Sequence, residues 1–157
     1  MSCDLFSLEE SDACPFGWND YHKTCPNEPN TFVIDGVCYM FVDQVKTFND
    51  AKTYCESHHG RLFEPRTVHT NKLVYEKSKD VLRVGERNWL GVITKNGKLG
   101  PWKFANSGDN VIETMWHSGQ PNESGNEIYA YHGADCGGEK WCDAGGSNKY
   151  RFICEFV

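Results

Sequence analysis

The chain has 157 residues, eight cysteines and a formal net charge of −6, enough residues for one domain with a real core. The acidic balance argues against a nucleic-acid partner bound through its phosphates, and no apolar run reaches the roughly 18 residues that span a membrane. So many cysteines in a short chain indicate disulfides made in an oxidising compartment. A zinc site is the weaker alternative, because only Cys136 and Cys142 lie close together. We therefore expect a secreted, extracellular protein.

Two regions are expected, an N-terminal extension at 1–24 and a main domain at 25–157. The extension carries Cys3 and Cys14 on either side of an acidic segment.

At the start of the main domain, 31–34 and 37–42 have the composition of strands. Asp-Gly between them is a strong signal for a two-residue hairpin turn.

Two helices follow the predicted hairpin. Thr47 is a good N-cap for the first, in which Phe48, Ala51 and Cys55 fall on one face. Thr70 is expected to open the second helix. The apolar side chains expected to bury that helix are Leu73, Val74, Val81 and Leu82.

The second half of the chain alternates between strands and irregular segments. Strands are predicted at 88–92, 102–104, 128–131 and 149–156, with a long, poorly regular region ahead of Trp116. Long loops kept in a compact domain tend to be functional. The segment 136–143 is expected to form a hairpin with one disulfide across it.

A concentration of side-chain oxygens occupies the stretch 116–127. Gln120 and Asn122 are amides and Glu127 is a carboxylate, and such oxygens are the ligands that Ca²⁺ prefers. Pro121 restricts the backbone between the two amides, and a cis Gln120–Pro121 bond is expected in so tight a loop. A plain solvated loop is the alternative reading, since Pro, Asn, Ser and Gly are common in loops.

From Cys25 to Val157 the sequence resembles a C-type lectin-like domain, in particular the secreted lectins of invertebrates. The matching segments, in the family's order and spacing, are Val37-Cys38-Tyr39, Phe48-Asn49-Asp50-Ala51, Asn88-Trp89-Leu90-Gly91-Val92, Trp116 with Gln120-Pro121-Asn122, Trp141-Cys142-Asp143 and Phe152-Ile153-Cys154-Glu155. The resemblance implies an α+β fold with two helices, two small antiparallel sheets, a long loop region and stabilising disulfides.

The resemblance also implies a disulfide pattern. It pairs Cys55 with Cys154 and Cys25 with Cys38, which leaves Cys3 to pair with Cys14. Cys14–Cys25 with Cys3 free is a second possibility. The family's inner disulfide has no counterpart here, because Tyr129 and Gly146 stand at its positions. Cys136–Cys142 is then a bridge that the family does not normally have.

In sugar-binding members of the family one Ca²⁺ binds at the tripeptide, and its protein ligands also contact the sugar. Carried over to this chain, the ion and sugar ligands are Gln120, Asn122, Glu127 and Asp143. Glu-Pro-Asn is typical of mannose-like sugars and Gln-Pro-Asp of galactose-like sugars. Gln-Pro-Asn is neither, so the sequence predicts a relaxed preference between mannose-like and galactose-like terminal sugars.

Two further departures concern the metal. Cys142 replaces an amide ligand, and sulfur is a poor partner for a hard cation, so we expect a weakened Ca²⁺ site. The loop at 94–98 lacks the acids that hold an auxiliary ion in the family, and no second ion is expected there.

Aromatic residues beside the site are candidates to stack on the apolar face of a sugar. They are Tyr129, Tyr131, His132 and His117, with core packing as the alternative role for the tyrosines.

Two other functional classes are open. No nucleophile or acid pair stands in a recognisable catalytic arrangement, so the protein is not expected to be an enzyme. A C-type lectin-like module that binds protein, mineral or ice without sugar is the second class. Because one shallow sugar site is weak, with a dissociation constant of about 1 mM, we expect a homodimer or larger assembly that gains avidity. An innate immune role is the expected biological setting.

Overall fold

The computed structural model describes residues 25–82, 86–122 and 128–157. The expected extension 1–24, with Cys3 and Cys14, lies outside these ranges, as does Glu127. The described elements are helices α1 (Phe48–Ser57) and α2 (Val68–Val81) and strands β1 (Thr31–Ile34), β2 (Val37–Lys46), β3 (Arg61–Leu62), β4 (Arg87–Thr94), β5 (Lys103–Phe104), β6 (Ile128–Gly133), β7 (Gly138–Ala144) and β8 (Tyr150–Phe156).

The first hairpin has the turn that its sequence predicted. Asp35 and Gly36 both have positive φ, 51° and 79°, as a two-residue turn between twisted strands requires. β1 and β2 then pair in register from Ile34 opposite Val37. Cys38 on β2 is bonded to Cys25, which rules out the Cys14–Cys25 alternative.

Helix α1 forms as its pattern predicted. The hydroxyl of Thr47 accepts a hydrogen bond from the backbone N–H of Asp50, which satisfies one of the free donors of the first turn. Phe48, Ala51 and Cys55 are the buried residues of the helix. Cys55 is bonded to Cys154 on β8, so the disulfide joins α1 to the last strand.

The prediction for α2 was wrong at its start and only partly right for its buried residues: Val74 and Leu82 are buried, whereas Leu73 and Val81 are partly buried. Thr67 is the N-cap, and its hydroxyl accepts from the N–H of Thr70, so the helix begins at Val68. The buried residues of the helix are Asn71, Val74, Tyr75 and Ser78. Polar residues share this face because their side chains find partners inside the fold: the amide of Asn71 donates to the carbonyl of Glu139.

The strands form one sheet in the order β1-β2-β8-β4-β6-β7, with β3 on β8 and β5 on β4. Every pairing is antiparallel except that of β4 with β8, which is parallel over two residue pairs. Trp89 opposite Phe152 is one of those pairs. This short parallel contact joins the two antiparallel sheets that the sequence predicted.

The core lies on both faces of the sheet. On one face α1 packs with Phe152, Cys154 and Trp89, and on the other Val74 of α2 packs with Trp141 and other side chains. β8 contributes to both, because its successive side chains point to opposite faces.

The expected hairpin within 136–143 was wrong in its position. The chain reverses earlier, in a 3₁₀ turn at Ala134–Cys136, and β7 then pairs back onto β6. The glycines after the turn allow this, since Gly137 and Gly138 both have positive φ. The disulfide Cys136–Cys142 is present and ties the turn to β7.

Candidate functional site

Three of the four carried-over ligands come together where the tripeptide loop meets β7. The backbone N–H of Asn122 donates to a carboxylate oxygen of Asp143 over 3.0 Å. In return, the backbone N–H of Asp143 donates to the amide oxygen of Gln120 over 3.4 Å. These residues are more than 20 positions apart in the chain. The sequence predicted their roles, and the fold brings them into direct contact.

The loop is held beside β7 by backbone hydrogen bonds. The N–H of Trp141 donates to the carbonyl of Met115 over 2.7 Å, and the N–H of His117 donates to the carbonyl of Trp141 over 2.8 Å. A turn bond from the N–H of Gln120 to the carbonyl of His117 leads into the tripeptide. The Gln120–Pro121 peptide bond is cis, as expected.

Aromatic packing anchors the same junction. Trp141 is fully buried and meets Trp116 edge to face, with ring centroids 5.4 Å apart. Trp102 in turn packs on Trp116 at 4.7 Å. Edge-to-face pairs contribute roughly 0.5–1.5 kcal/mol beyond the area they bury. Trp116 and Trp141 therefore pack together where the loop meets β7.

The donor set of this junction suits Ca²⁺. Asp143 provides a carboxylate and Gln120 and Asn122 provide amide oxygens, all hard oxygen donors. Gln120 and Asp143 each already accept one hydrogen bond, but an oxygen has two lone pairs and a carboxylate has two oxygens. The described residues therefore fit such an ion, while Glu127 stays an expectation from the sequence.

Cys142 stands where the family has an amide ligand, and its sulfur is committed elsewhere. It is bonded to Cys136 and is only 4% exposed. It packs in the core on the face that also holds Tyr129 and Phe152. A disulfide sulfur buried in this way is not a ligand for a hard cation.

Across the described ranges there is no cluster of three or more His, Cys, Asp or Glu residues arranged to hold a metal.

The three β6 residues proposed to stack on a sugar are core residues instead. Tyr129, Tyr131 and His132 are 4%, 8% and 0% exposed. β6 lies between β4 and β7 and is buried on both faces, so alternation leaves no side of it open. A sugar has no access to these rings in this structure.

The contacts of Tyr129 and Tyr131 explain why these side chains are buried. Tyr129 stacks on Phe48 with ring centroids 4.0 Å apart, and the hydroxyl of Tyr131 donates to Asp135 over 3.3 Å. Burial raises the pKa of Tyr131 to about 12.

His117 keeps a place beside the site. It is half-buried, in the segment that leads into the tripeptide. Its ring lies against Gly137, where an added Cβ would stand 2.7 Å from Nδ1. The absence of a side chain at Gly137 therefore gives the ring its room, and His117 is the one proposed stacking residue that is not in the core.

A buried carboxylate that the sequence did not flag organises the long loop. Glu64 is 3% exposed and accepts from the backbone N–H groups of Asn106 and Ser107, over 2.8 and 3.1 Å. Arg66 donates to its other oxygen over 2.9 Å. Only the three-dimensional contact across more than 40 residues reveals this role.

Known proteins share the domain and the fold of this chain. The model of the Lectin C-type domain matches residues 44–156, which is most of the chain. The chain belongs to the C-type lectin domain family. Members of this family act by binding and not by catalysis, so the prediction that this chain is not an enzyme is confirmed.

Two relatives illustrate the range of the match. A perlucin-like protein of Mytilus galloprovincialis is 27% identical over 124 residues, covering 79% of this chain and 66% of that relative. A C-type lectin mannose-binding isoform of Notechis scutatus scutatus is 29% identical over 159 residues, covering 96% of this chain and 89% of the snake protein.

Among solved structures, human lithostathine has a TM-score of 0.74 at 23% identity, covering 98% of this chain and 97% of that one. This likeness shows the fold, which confirms the predicted C-type lectin-like architecture. Of the residues that the structure describes, none lies in a helix long and apolar enough to cross a membrane.

Proposed function

We propose that this C-type lectin domain binds terminal monosaccharides in a calcium-dependent manner through the Gln120-Pro121-Asn122 loop and Asp143. The observation that carries the proposal is the reciprocal pair of hydrogen bonds between that loop and β7. They hold the side chain of Gln120 and the backbone of Asn122 against Asp143 on β7. Glu127 joins them as the second carboxylate.

Each residue has a role in this proposal. The carboxylate of Asp143 and the amide oxygens of Gln120 and Asn122 would hold the ion, which would offer its remaining coordination positions to sugar hydroxyls. The amide N–H groups of Gln120 and Asn122 donate to sugar oxygens, and the second lone pair of the Asn122 carbonyl accepts from a sugar hydroxyl. His117 is the candidate contact for the apolar face of the ring.

A relaxed choice of sugar follows from the two amides. A carboxylate only accepts hydrogen bonds. A tripeptide with an acid at one end therefore fixes which sugar hydroxyl must donate and which must accept. An amide offers a donor and an acceptor, so Gln-Pro-Asn accommodates both directions. Mannose-like and galactose-like sugars then bind with affinities within about a hundredfold, roughly 3 kcal/mol.

The domain is proposed to act outside the cell, in recognition of glycan surfaces such as those met in innate immunity. The three described disulfides support an oxidising compartment. The domain boundary at Cys25, after an extension at 1–24, belongs to the same proposal.

A module that ignores sugar and binds protein, mineral or ice is the second candidate. The observation that favours it is the loss of an ion ligand at Cys142, whose sulfur is in a disulfide.

Retention on immobilised mannose and on immobilised galactose separates the two candidates. The proposal predicts that the protein stays on both resins in Ca²⁺ and leaves them on addition of EDTA or of the free sugar. A protein that passes through both resins at millimolar Ca²⁺, while correctly folded by circular dichroism, would refute sugar binding and leave the second candidate.

A further inference from the structure

A groove of about 370 Å³ lies between β1 and helix α2, away from the tripeptide junction. Strand and helix both contribute to its lining, which is Phe32, Val33, Ile34, Leu73, Glu76, Lys77 and Asp80. The helix residues follow one another at intervals of three, one and three positions, which places them on one face of α2. β1 is the first strand in the order of the sheet, so within the described ranges no strand pairs with its outer side.

The outer side of β1 presents free backbone groups. The N–H of Phe41 donates to the carbonyl of Asn30 over 2.9 Å, in the register that pairs β1 with β2. Hydrogen-bonded and non-hydrogen-bonded pairs alternate along an antiparallel ladder, so Thr31 and Val33 direct their N–H and C=O groups away from β2. Charged residues and proline, which commonly protect an edge strand, do not occur in β1, and Val33 is 52% exposed. This edge can therefore accept another strand.

The helix side of the groove carries charges of both signs. Glu76 is ion-paired with Lys79 at 2.8 Å. Lys77 instead lies over the ring of Phe32, 4.2 Å from the ring centroid. Neither Lys77 nor Asp80 forms an ion pair with another residue in the part of the chain that the structure describes. A cation and an anion one turn apart on the face that borders the groove suit a partner that presents the same two charges in reverse order.

A second copy of the chain is such a partner. Two β1 strands paired antiparallel are related by a two-fold axis perpendicular to the sheet. That axis keeps both α2 helices on the same face of the joined sheet and makes them run in opposite directions. Lys77 of each copy is then brought toward Asp80 of the other, so one symmetry operation produces two identical contacts, as in any isologous interface.

We propose that β1 is a homodimer interface, in which the outer edges of two β1 strands pair antiparallel and Lys77 and Asp80 form reciprocal ion pairs across the groove. The tripeptide loop meets β7, at the opposite end of the strand order. The joined sheet therefore carries one candidate ion site at each of its far edges and leaves both open. Sugar and Ca²⁺ take no part in this contact, so the interface holds whether or not the loop binds sugar.

Analytical ultracentrifugation of the full chain over a concentration series tests the pairing of the backbones. The wild type is expected to show a monomer–dimer equilibrium. V33P removes an outward N–H and no hydrogen bond between β1 and β2, so it should weaken dimerisation at least about tenfold. V33A shortens the same side chain but keeps the N–H, and should stay within about threefold of the wild type. A wild type that is monomeric throughout, or equal dimerisation of V33P and V33A when both are folded by circular dichroism, would overturn the proposal.

A charge swap tests the two-fold arrangement at low ionic strength. K77D and D80K each place like charges across the axis and should each weaken the dimer about tenfold. K77D/D80K restores opposite charges and should return the affinity to within about threefold of the wild type. K72D makes the same change at an exposed lysine of the same helix outside the groove lining, and should leave dimerisation unchanged. Weakening in both single variants without recovery in the double variant would contradict the reciprocal contact.

Amide hydrogen exchange read by NMR distinguishes a second copy from other occupants of this edge. The amides of Thr31 and Val33 should exchange slowly at concentrations that give dimer, and faster on dilution to monomer. Protection of these amides in the monomer would assign the edge to another part of the same chain. A dimer in which they exchange freely would place the interface elsewhere on the molecule. Either result would overturn the proposal.

Discussion

At the residue scale, Cys142 has the largest effect on the proposed ion site. Its sulfur is bonded to Cys136, so one amide oxygen that the family supplies is missing. Asp143, the next residue, points its carboxylate at the tripeptide loop. In the proposed ion site, position 142 therefore provides no ligand, whereas Asp143 beside it provides its carboxylate.

Restoring the amide should strengthen the ion site. C136A/C142N is expected to bind Ca²⁺ about tenfold more tightly than C136A/C142A. Both variants lose the same disulfide, which closes a short loop and costs roughly 2 kcal/mol, so the comparison isolates the amide. Calorimetry measures the two affinities, and identical values would show that position 142 does not face the ion.

His132 sets a pH dependence of stability. It is fully buried, and both of its ring nitrogens lack hydrogen-bond partners among the described residues. Burial lowers the pKa of His132 from 6.5 to about 3. Between those values the unfolded chain binds a proton that the folded chain does not, so the free energy of unfolding falls as the pH drops below 6.5. The slope is at most about 1.4 kcal/mol per pH unit.

H132F should remove this slope and leave the neutral-pH stability unchanged or higher, because an apolar ring replaces an unpartnered polar one. Burial raises the pKa of Glu155 to about 7, although the nearby Arg61 acts to lower it. The folded chain therefore binds a proton at Glu155 more readily than the unfolded chain does, so this carboxyl stabilises the folded state as the pH falls. Both proteins share Glu155, so only the difference between their urea unfolding curves from pH 7 to pH 4 is informative. Parallel profiles for the two proteins would contradict the assignment to His132.

At the scale of elements, the tripeptide loop and the β6–β7 hairpin together form the proposed ion site. The loop contributes Gln120 and Asn122, and the hairpin contributes Asp143 through two reciprocal hydrogen bonds. The disulfide Cys136–Cys142 ties the turn of that hairpin to its second strand. The ligand on β7 is therefore presented by a covalently restrained element.

Single substitutions in the loop should impose a sugar preference in opposite directions. Q120E creates Glu-Pro-Asn and should favour mannose, and N122D creates Gln-Pro-Asp and should favour galactose, each by about tenfold or more. Each variant adds one carboxylate, so each controls for the added charge in the other. A glycan array reads out both. If both variants came to prefer the same sugar, the added charge, and not the direction of the hydrogen bonds, would set the sugar preference.

Local sequence patterns correctly predicted those elements whose structure follows from a single local property, such as turn chemistry or helical periodicity. The Asp35-Gly36 turn and the buried face of α1 followed from turn chemistry and helical periodicity. The start of α2 and its buried polar residues did not, because Asn71 is buried against the carbonyl of Glu139 and Ser78 against Tyr75 and Asn88. A buried polar residue cannot be recognised until its partner is known.

The residues of the candidate site were predictable, but their access to a ligand was not. The amides at 120 and 122 indicated an ion site by their chemistry, the family resemblance added Asp143, and the fold brings the three residues together. The stacking role of Tyr129, Tyr131 and His132 was wrong because β6 is a central strand covered on both faces. Alternation along a strand assumes one open face, and only the strand order shows that β6 has none.

At the scale of the whole molecule, a single monosaccharide site offers little free energy. Such a site typically binds at about 1 mM, roughly −4 kcal/mol. Several sites on one assembly raise the apparent affinity for a multivalent surface by about 10² to 10⁴. A useful lectin of this kind is therefore expected to be a homodimer or larger.

Light scattering coupled to size exclusion tests the assembly. We expect a mass of at least twice the 17.9 kDa chain at micromolar concentration, and tighter binding to a glycan-coated surface than to the free monosaccharide. A monomer at high concentration would remove this prediction while leaving the single site intact.

Calorimetric titration of Ca²⁺ at neutral pH tests the central claim most directly. The account predicts binding with a dissociation constant between about 1 μM and 1 mM, roughly −8 to −4 kcal/mol. D143N should weaken it at least about tenfold, whereas D135N, an equal change of charge in the turn of the same hairpin, should not. The absence of any heat at millimolar Ca²⁺, or equal affinity in the wild type and D143N, would contradict a calcium site at this junction.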